Sequence, residues 1–170
     1  MEKRKIENAL SDLESTESRI NFIHNLLKNN SKKEFQNFLN DKLEYLYIEH
    51  YRENSRNPQR TVDFYASLGR KEAERIAGMF RKYKDPSMAS YILKKIGNYS
   101  GARNIWTELN QPSMIARTYE AQAEAEKNKY KRKKYFLKAA EIWKEFGESE
   151  RAKENYRRAG FIEFLKSRFK

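Results

Sequence analysis

The chain has 170 residues, 36 of them Lys or Arg and 24 Asp or Glu, for a formal net charge of +12. It has no cysteine and no run of about 18 apolar residues, so a disulfide framework, a thiolate metal site and a membrane span are not expected. A mean hydropathy of −1.05 would suit a disordered chain, but 2 Trp, 11 Tyr and 10 Phe supply enough large side chains for a core.

Strand formers and turn formers are scarce: the only valine is Val62, and there are 6 Gly and 3 Pro. Leu, Ala, Lys, Glu and Arg dominate, all good helix formers, so the expected fold class is all-α. The opening Met1-Glu2-Lys3-Arg4-Lys5 leads into no apolar stretch and does not read as a signal peptide, which makes cytoplasmic (or nuclear) residence the default. Residues 1–60 carry 11 basic and 10 acidic side chains, whereas residues 61–170 carry 25 and 14. The positive excess therefore sits on the second part, and favours acidic partners or nucleic acid.

In chain order, Ile6, Leu13, Ile20 and Leu27 recur every seven residues over residues 3–29, with Leu10 and Ile23 beside them. That stripe suits either a self-associating coiled coil or, if Ser15-Thr16-Glu17-Ser18 splits it, a helical hairpin packed in the core. Glu17 and His24 spoil the second seam position. Ser31-Lys32-Lys33-Glu34 reads as a capping box, opening a helix to about Glu53 whose apolar face is Phe35, Leu39, Leu43, Leu46 and Tyr47. Asn54 to Pro58 break it. Shorter helices follow: Gln59–Leu68, Lys71–Tyr83, one opened by Asp85-Pro86-Ser87 and closed at Gly97, the Ala102 helix, one opened by Gln111-Pro112-Ser113, one over about Lys131–Phe146, and Glu148–Ala159 closed by Gly160. Phe161–Phe169 is expected to add a last turn or two.

One phrase recurs in this second part: Ala73, Ala77 and Phe80; Ala102, Trp106 and Leu109; Ala152, Tyr156 and Ala159. Spacings of four and three put each set on one helix face, and each follows a glycine, Gly69, Gly97 or Gly147. Ala-x3-aromatic-x2-Ala followed by Pro resembles the second helix of a tetratricopeptide repeat; Ala102, Trp106, Leu109 and Pro112 fit it, and so do Ala152, Tyr156 and Ala159. The first helix departs from that repeat, because Gly97 lies five residues before Ala102 and reads as the interhelix turn. Ala89 to Leu109 is similar to the short helical hairpins of attachment-protein and coatomer-type solenoids. The resemblance covers roughly residues 60–160. It implies a right-handed α-α superhelix, a TPR-like solenoid of antiparallel helix pairs preceded by an N-terminal helical hairpin or coiled coil, used as a scaffold in protein assembly. It carries over no catalytic residue. The expected division is an N-terminal helical segment, 1–57, and a repeat region, 58–170, packed as one continuous domain.

Neither His24 nor His50 stands in a helical metal-ligand spacing, and both read as packed or surface histidines. Phosphate-loop and nucleophile-elbow motifs are absent from the sequence, and Glu72/Glu74 and Glu124/Glu126 diverge on a helix rather than forming an acid–base dyad. The expectation is a non-enzymatic protein with no cofactor and no metal. The densest signal is Lys127–Lys138, where Lys127, Lys129, Lys131, Arg132, Lys133, Lys134 and Lys138 are basic and Tyr130, Tyr135 and Phe136 are interleaved. The spacing of Tyr135, Phe136, Ala139 and Trp143 places those aromatics in a core, leaving Tyr130 as the residue placed for stacking. The tail Lys166–Lys170 would extend the patch. The expected function is protein–protein interaction through this basic surface, with an acidic or helical segment as partner. RNA binding is the alternative, and oligomerisation through residues 3–29 is a further expectation.

Overall fold

A computed structural model describes residues 3–30, 32–83 and 85–160. Among these residues there are ten α-helices and no strand, so the fold is all-α. The backbone divides into two compact units, Met1–Ser67 and Leu68–Lys170.

The first unit holds α1 (Lys3–Ser11), α2 (Thr16–Lys28), α3 (Lys33–Glu53) and α4 (Pro58–Ser67). The seven-residue stripe is cut in two at Ser15, whose side chain caps α2 by accepting from the Ser18 N–H. Ile6, Leu10, Ile20 and Ile23 are buried, as are Leu39, Leu43, Leu46 and Tyr47 of α3, whereas Leu13 and Leu27 of the stripe are half-buried. Residues 3–29 thus form two helices, and α2 packs on α3. The expected cap at Ser31 and the expected turns over 161–169 lie outside the described residues.

Both histidines pack here. His24 Nε2 lies 2.7 Å from the Tyr47 hydroxyl, and the buried His50 lies 3.2 Å from Glu17. The Tyr65 hydroxyl donates to the Tyr47 carbonyl, and burial raises the Tyr65 pKa. Burial also pushes the Glu17 carboxyl up, but hydrogen bonds from His50 and Arg60 outweigh it and hold the group below its ordinary value.

The second unit holds α5 (Arg70–Lys82), α6 (Pro86–Lys95), α7 (Tyr99–Glu108), α8 (Pro112–Ala125), α9 (Lys129–Glu145) and α10 (Ser149–Arg158). Each packs against its neighbour in the chain. The turns explain why. At the ends of α5, α6, α7 and α9, an N–H reaches back five residues: Asp85 to Phe80, Asn98 to Leu93, Gln111 to Trp106, and Glu148 to Trp143, at 2.8–2.9 Å. This closure uses the last free carbonyls of each helix and folds the chain straight back. After α6, α7 and α9 it uses one residue in the left-handed region. Gly97 (φ +78) and Gly147 (φ +84) supply it without strain, and Asn110 (φ 51) fills the same place after α7, where no glycine stands.

The recurring phrase faces inward as its spacing predicts. Ala73, Ala77, Phe80, Ala102, Trp106, Ala152 and Ala159 are buried, while Leu109 and Tyr156 are half-buried. Contacts also skip one helix. Arg81 of α5 donates to Glu108 of α7 at 2.6 Å, and Arg158 of α10 pairs with Glu124 of α8 at 3.0 Å. Ala116, Ala139, Trp143 and Ala152 form one buried cluster across α8, α9 and α10. At its edge a single oxygen, Glu120 Oε1, accepts from both Trp143 Nε1 and Asn155 Nδ2 at 2.7 Å.

Candidate basic binding surface

The cationic segment is a helix start that stands clear of the core. Glu126 turns the chain out of α8 with an extended backbone, and Asn128 then caps α9, its side chain accepting from the Tyr130 and Lys131 N–H groups at 3.0 and 3.1 Å. Asn128 lets the helix begin immediately before the cations, so they occupy its first two turns. Lys129, Tyr130, Lys131 and Arg132 are all exposed. Four successive positions cover every side of a helix, so this turn has no packed face. Lys127 and Lys134 are exposed as well, and Lys133 and Lys138 are half-buried.

The aromatics separate by depth as their spacing predicts. Tyr130 is 84% exposed. Tyr135 is half-buried and stacks on Tyr119 of α8, with centroids 6.3 Å apart. Phe136 is buried, with the Arg158 guanidinium over its ring at 4.2 Å.

Electrostatically the segment is out of balance. Among the described residues, no carboxylate lies within salt-bridge distance of any of the seven cations. Arginines nearby are partnered: Arg157 with Glu154 at 2.7 Å, Arg158 with Glu124 at 3.0 Å, Arg151 with Glu148 at 3.8 Å. The first turn of α9 contains no acidic residue. Cations there oppose the positive end of the helix dipole, at about 0.3–1 kcal/mol each when exposed. Like charges three and four apart, such as Lys129 with Arg132 and Lys133, add about 0.2–0.5 kcal/mol per pair.

The structure extends this surface beyond the sequence segment. Lys138 lies over the Tyr119 ring at 5.4 Å, and Arg103 of α7 lies over the same ring at 4.1 Å while donating to Gln122. Arg103 and Tyr119 are distant in sequence from Lys127–Lys138, and only the packing of α7 on α8 and α8 on α9 brings them there. On α6, burial pushes the Lys94 pKa down and the Arg117 guanidinium pushes it further the same way. A second feature is an open groove of about 550 Å³ lined by Arg117, Glu120, Glu150, Arg151, Glu154 and Asn155, among others. Its charges alternate, and Asn155 Oδ1 is buried in its wall without a hydrogen-bond partner.

The acidic pairs go their separate ways. Glu72 binds Arg75, Glu74 binds Arg70, Glu124 binds Arg158, and Glu126 accepts from the Asn128 N–H. Among the described residues there is no cluster of three His, Asp or Glu placed to hold a metal, and no helix long and apolar enough to cross a membrane. No protein-family model matches the chain, and no curated protein or solved structure matches it either.

Proposed function

We propose that this chain is a non-enzymatic, TPR-like helical scaffold that binds an acidic segment of a protein partner through the exposed start of α9. On this reading α5–α10 stack as a right-handed superhelix, supported by the turn geometry repeated at Phe80, Leu93 and Trp106, thirteen residues apart. The observation that carries the binding assignment is the bare, unpaired cation cluster on a helix turn with no packed face. A merely solvated surface is cheapest with its charges interspersed and paired, as on α10, whereas this one concentrates a single sign where the helix dipole opposes it.

A second reading has one observation behind it. Tyr130, 84% exposed among lysines, is placed as a stacking platform for single-stranded RNA.

The test is a fluorescence-anisotropy titration against an oligoglutamate peptide and against mixed-sequence single-stranded RNA of equal charge, at several salt concentrations. The expected result is peptide binding that weakens with salt and is lost in Arg132→Glu/Lys133→Glu, with the fold intact by circular dichroism. Tighter RNA binding that drops in Tyr130→Ala would favour the second reading. Unchanged peptide binding by the charge-reversed variant would remove the assignment.

A further inference from the structure

We propose that the outward face of α9 is a self-association seam, on which a second copy of this chain docks antiparallel with its own α9. The buried residues Phe136, Ala139, Ala140 and Trp143 fix which side of α9 points inward. On the opposite side lie Lys131, Lys134, Lys138, Glu141 and Glu145, spaced three, four, three and four. A 3-4 spacing is a continuous stripe of the kind that forms a helix–helix seam. Every position on it is charged. The first three are lysines and the last two glutamates.

Lys131, Lys134, Glu141 and Glu145 are exposed, and Lys138 is half-buried with its ammonium over Tyr119. Neither Glu141 nor Glu145 lies within salt-bridge distance of a cation among the described residues. So α9 carries cations at its positive end and carboxylates at its negative end, opposed to its own dipole at both.

An antiparallel second copy relieves both ends together. In such a pair, facing positions have residue numbers of constant sum. One register sets Lys138 against Glu141 of the second copy and Lys134 against Glu145. A twofold axis makes each of these contacts twice. A parallel pair would set lysine on lysine and glutamate on glutamate. The occupant is therefore this same sequence reversed in direction, which points to a second copy over an unrelated acidic protein. The chain's net charge of +12 opposes association, but at about 0.15 M salt the screening length is ~8 Å, which damps distant charges and spares those in contact.

The inference rests on reading the α9 cations as made for contact, but it uses the seam residues and leaves Arg132 and Lys133 aside. The 17 residues of α9 span about 25 Å, so the contact belongs to the weak class. Sedimentation equilibrium at about 0.15 M salt, with protein on the order of 100 µM, is the test. Wild type should rise above the 20.4 kDa of one chain and fall back at about 1 M salt. Lys134→Glu and Glu145→Lys should each weaken association about tenfold or more, because each turns two attractions into repulsions. A mixture of the two single variants should form a one-to-one heterodimer, and the double variant should regain self-association. At dilute concentration neither single variant should melt below wild type, since each removes like-charge or dipole repulsion within α9, so lost association is not lost folding. A wild type that stays monomeric, single variants that associate like wild type, or a mixture that stays monomeric would each overturn the proposal. Loss of oligoglutamate binding in Arg132→Glu/Lys133→Glu with self-association intact would leave this inference standing and isolate the acidic-partner site.

Discussion

Lys129→Glu should stabilise the second unit while weakening its hold on acidic ligands. Lys129 is the first residue of α9, directly after the Asn128 cap, and is exposed. Replacing a cation there with an anion removes an adverse dipole interaction and adds a favourable one, each about 0.3–1 kcal/mol. Its neighbours one turn on, Arg132 and Lys133, change from repelling to attracting partners, with Glu placed N-terminal to the cation, at about 0.2–0.5 kcal/mol per pair. The sum is about 1–3 kcal/mol, at roughly 4–8 °C in Tm per kcal/mol for a unit of some 100 residues. Trp106 and Trp143 both lie in the second unit, so the tryptophan-fluorescence melt reports it directly. The rise should be largest at low salt and shrink as screening sets in. The anisotropy titration with oligoglutamate should move the other way. A melt unchanged at low salt, or a rise equally large at high salt, would refute the electrostatic account of α9.

Other sites give independent checks. Glu120→Ala should cost about 2–3 kcal/mol by chemical denaturation, because the buried Trp143 and Asn155 donors lose their shared acceptor. Glu120→Gln keeps that oxygen and should cost less than half as much, and equal losses would mean the network is idle. Ala102→Leu should cost about 1–3 kcal/mol by overpacking, since Ala102 is fully buried, and an unchanged melt would sink the close packing assigned to that position. Gly147→Ala meets nothing within 4 Å but sits at φ +84, so a loss of about 1–2 kcal/mol reports backbone strain alone, with Gly147→Asn milder. The Glu17 carboxyl is held below its ordinary value in the folded chain. Its contribution is therefore present above the unfolded pKa, about 4.3, and is lost as pH falls through the lower folded value. Glu17→Gln should flatten the acid limb of stability in that window, and a parallel acid limb would contradict the pairing with His50 and Arg60.

The helices were legible because their signals are local: Pro86 and Pro112 at helix starts, Gly97 and Gly147 at turns, Ala and aromatic residues at spacings of four and three. The division of Tyr130 from Tyr135 and Phe136 was legible too, because helical phase alone puts Phe136 with Ala139 and Trp143. Residues 3–29 left two arrangements open, since a seven-residue stripe reads the same whether its partner is another chain or α3. The left-handed turn at Asn110 was hidden, as asparagine serves many other roles. Glu120 and Arg103 were invisible for a different reason. Trp143 and Asn155 lie 23 and 35 positions from Glu120 in the chain, and no periodicity links residues joined only by the stacking of three helices.

The habit of α5 to α10 of packing on the next helix in line has a kinetic consequence. Contacts between chain neighbours close short loops, so little chain entropy is lost before each helix meets its partner, and topologies of this kind fold in microseconds to milliseconds. On the proposed solenoid stacking, folding can start at any adjacent pair and spread in both directions. α8 and α9, in the interior and rich in mutual packing, are the natural starting point, and α10 the natural place for fraying. Native-state hydrogen exchange should then grade along the unit, with the slowest amides around Ala123 and Ala139 and the fastest toward Arg158, rather than vanish in one global step.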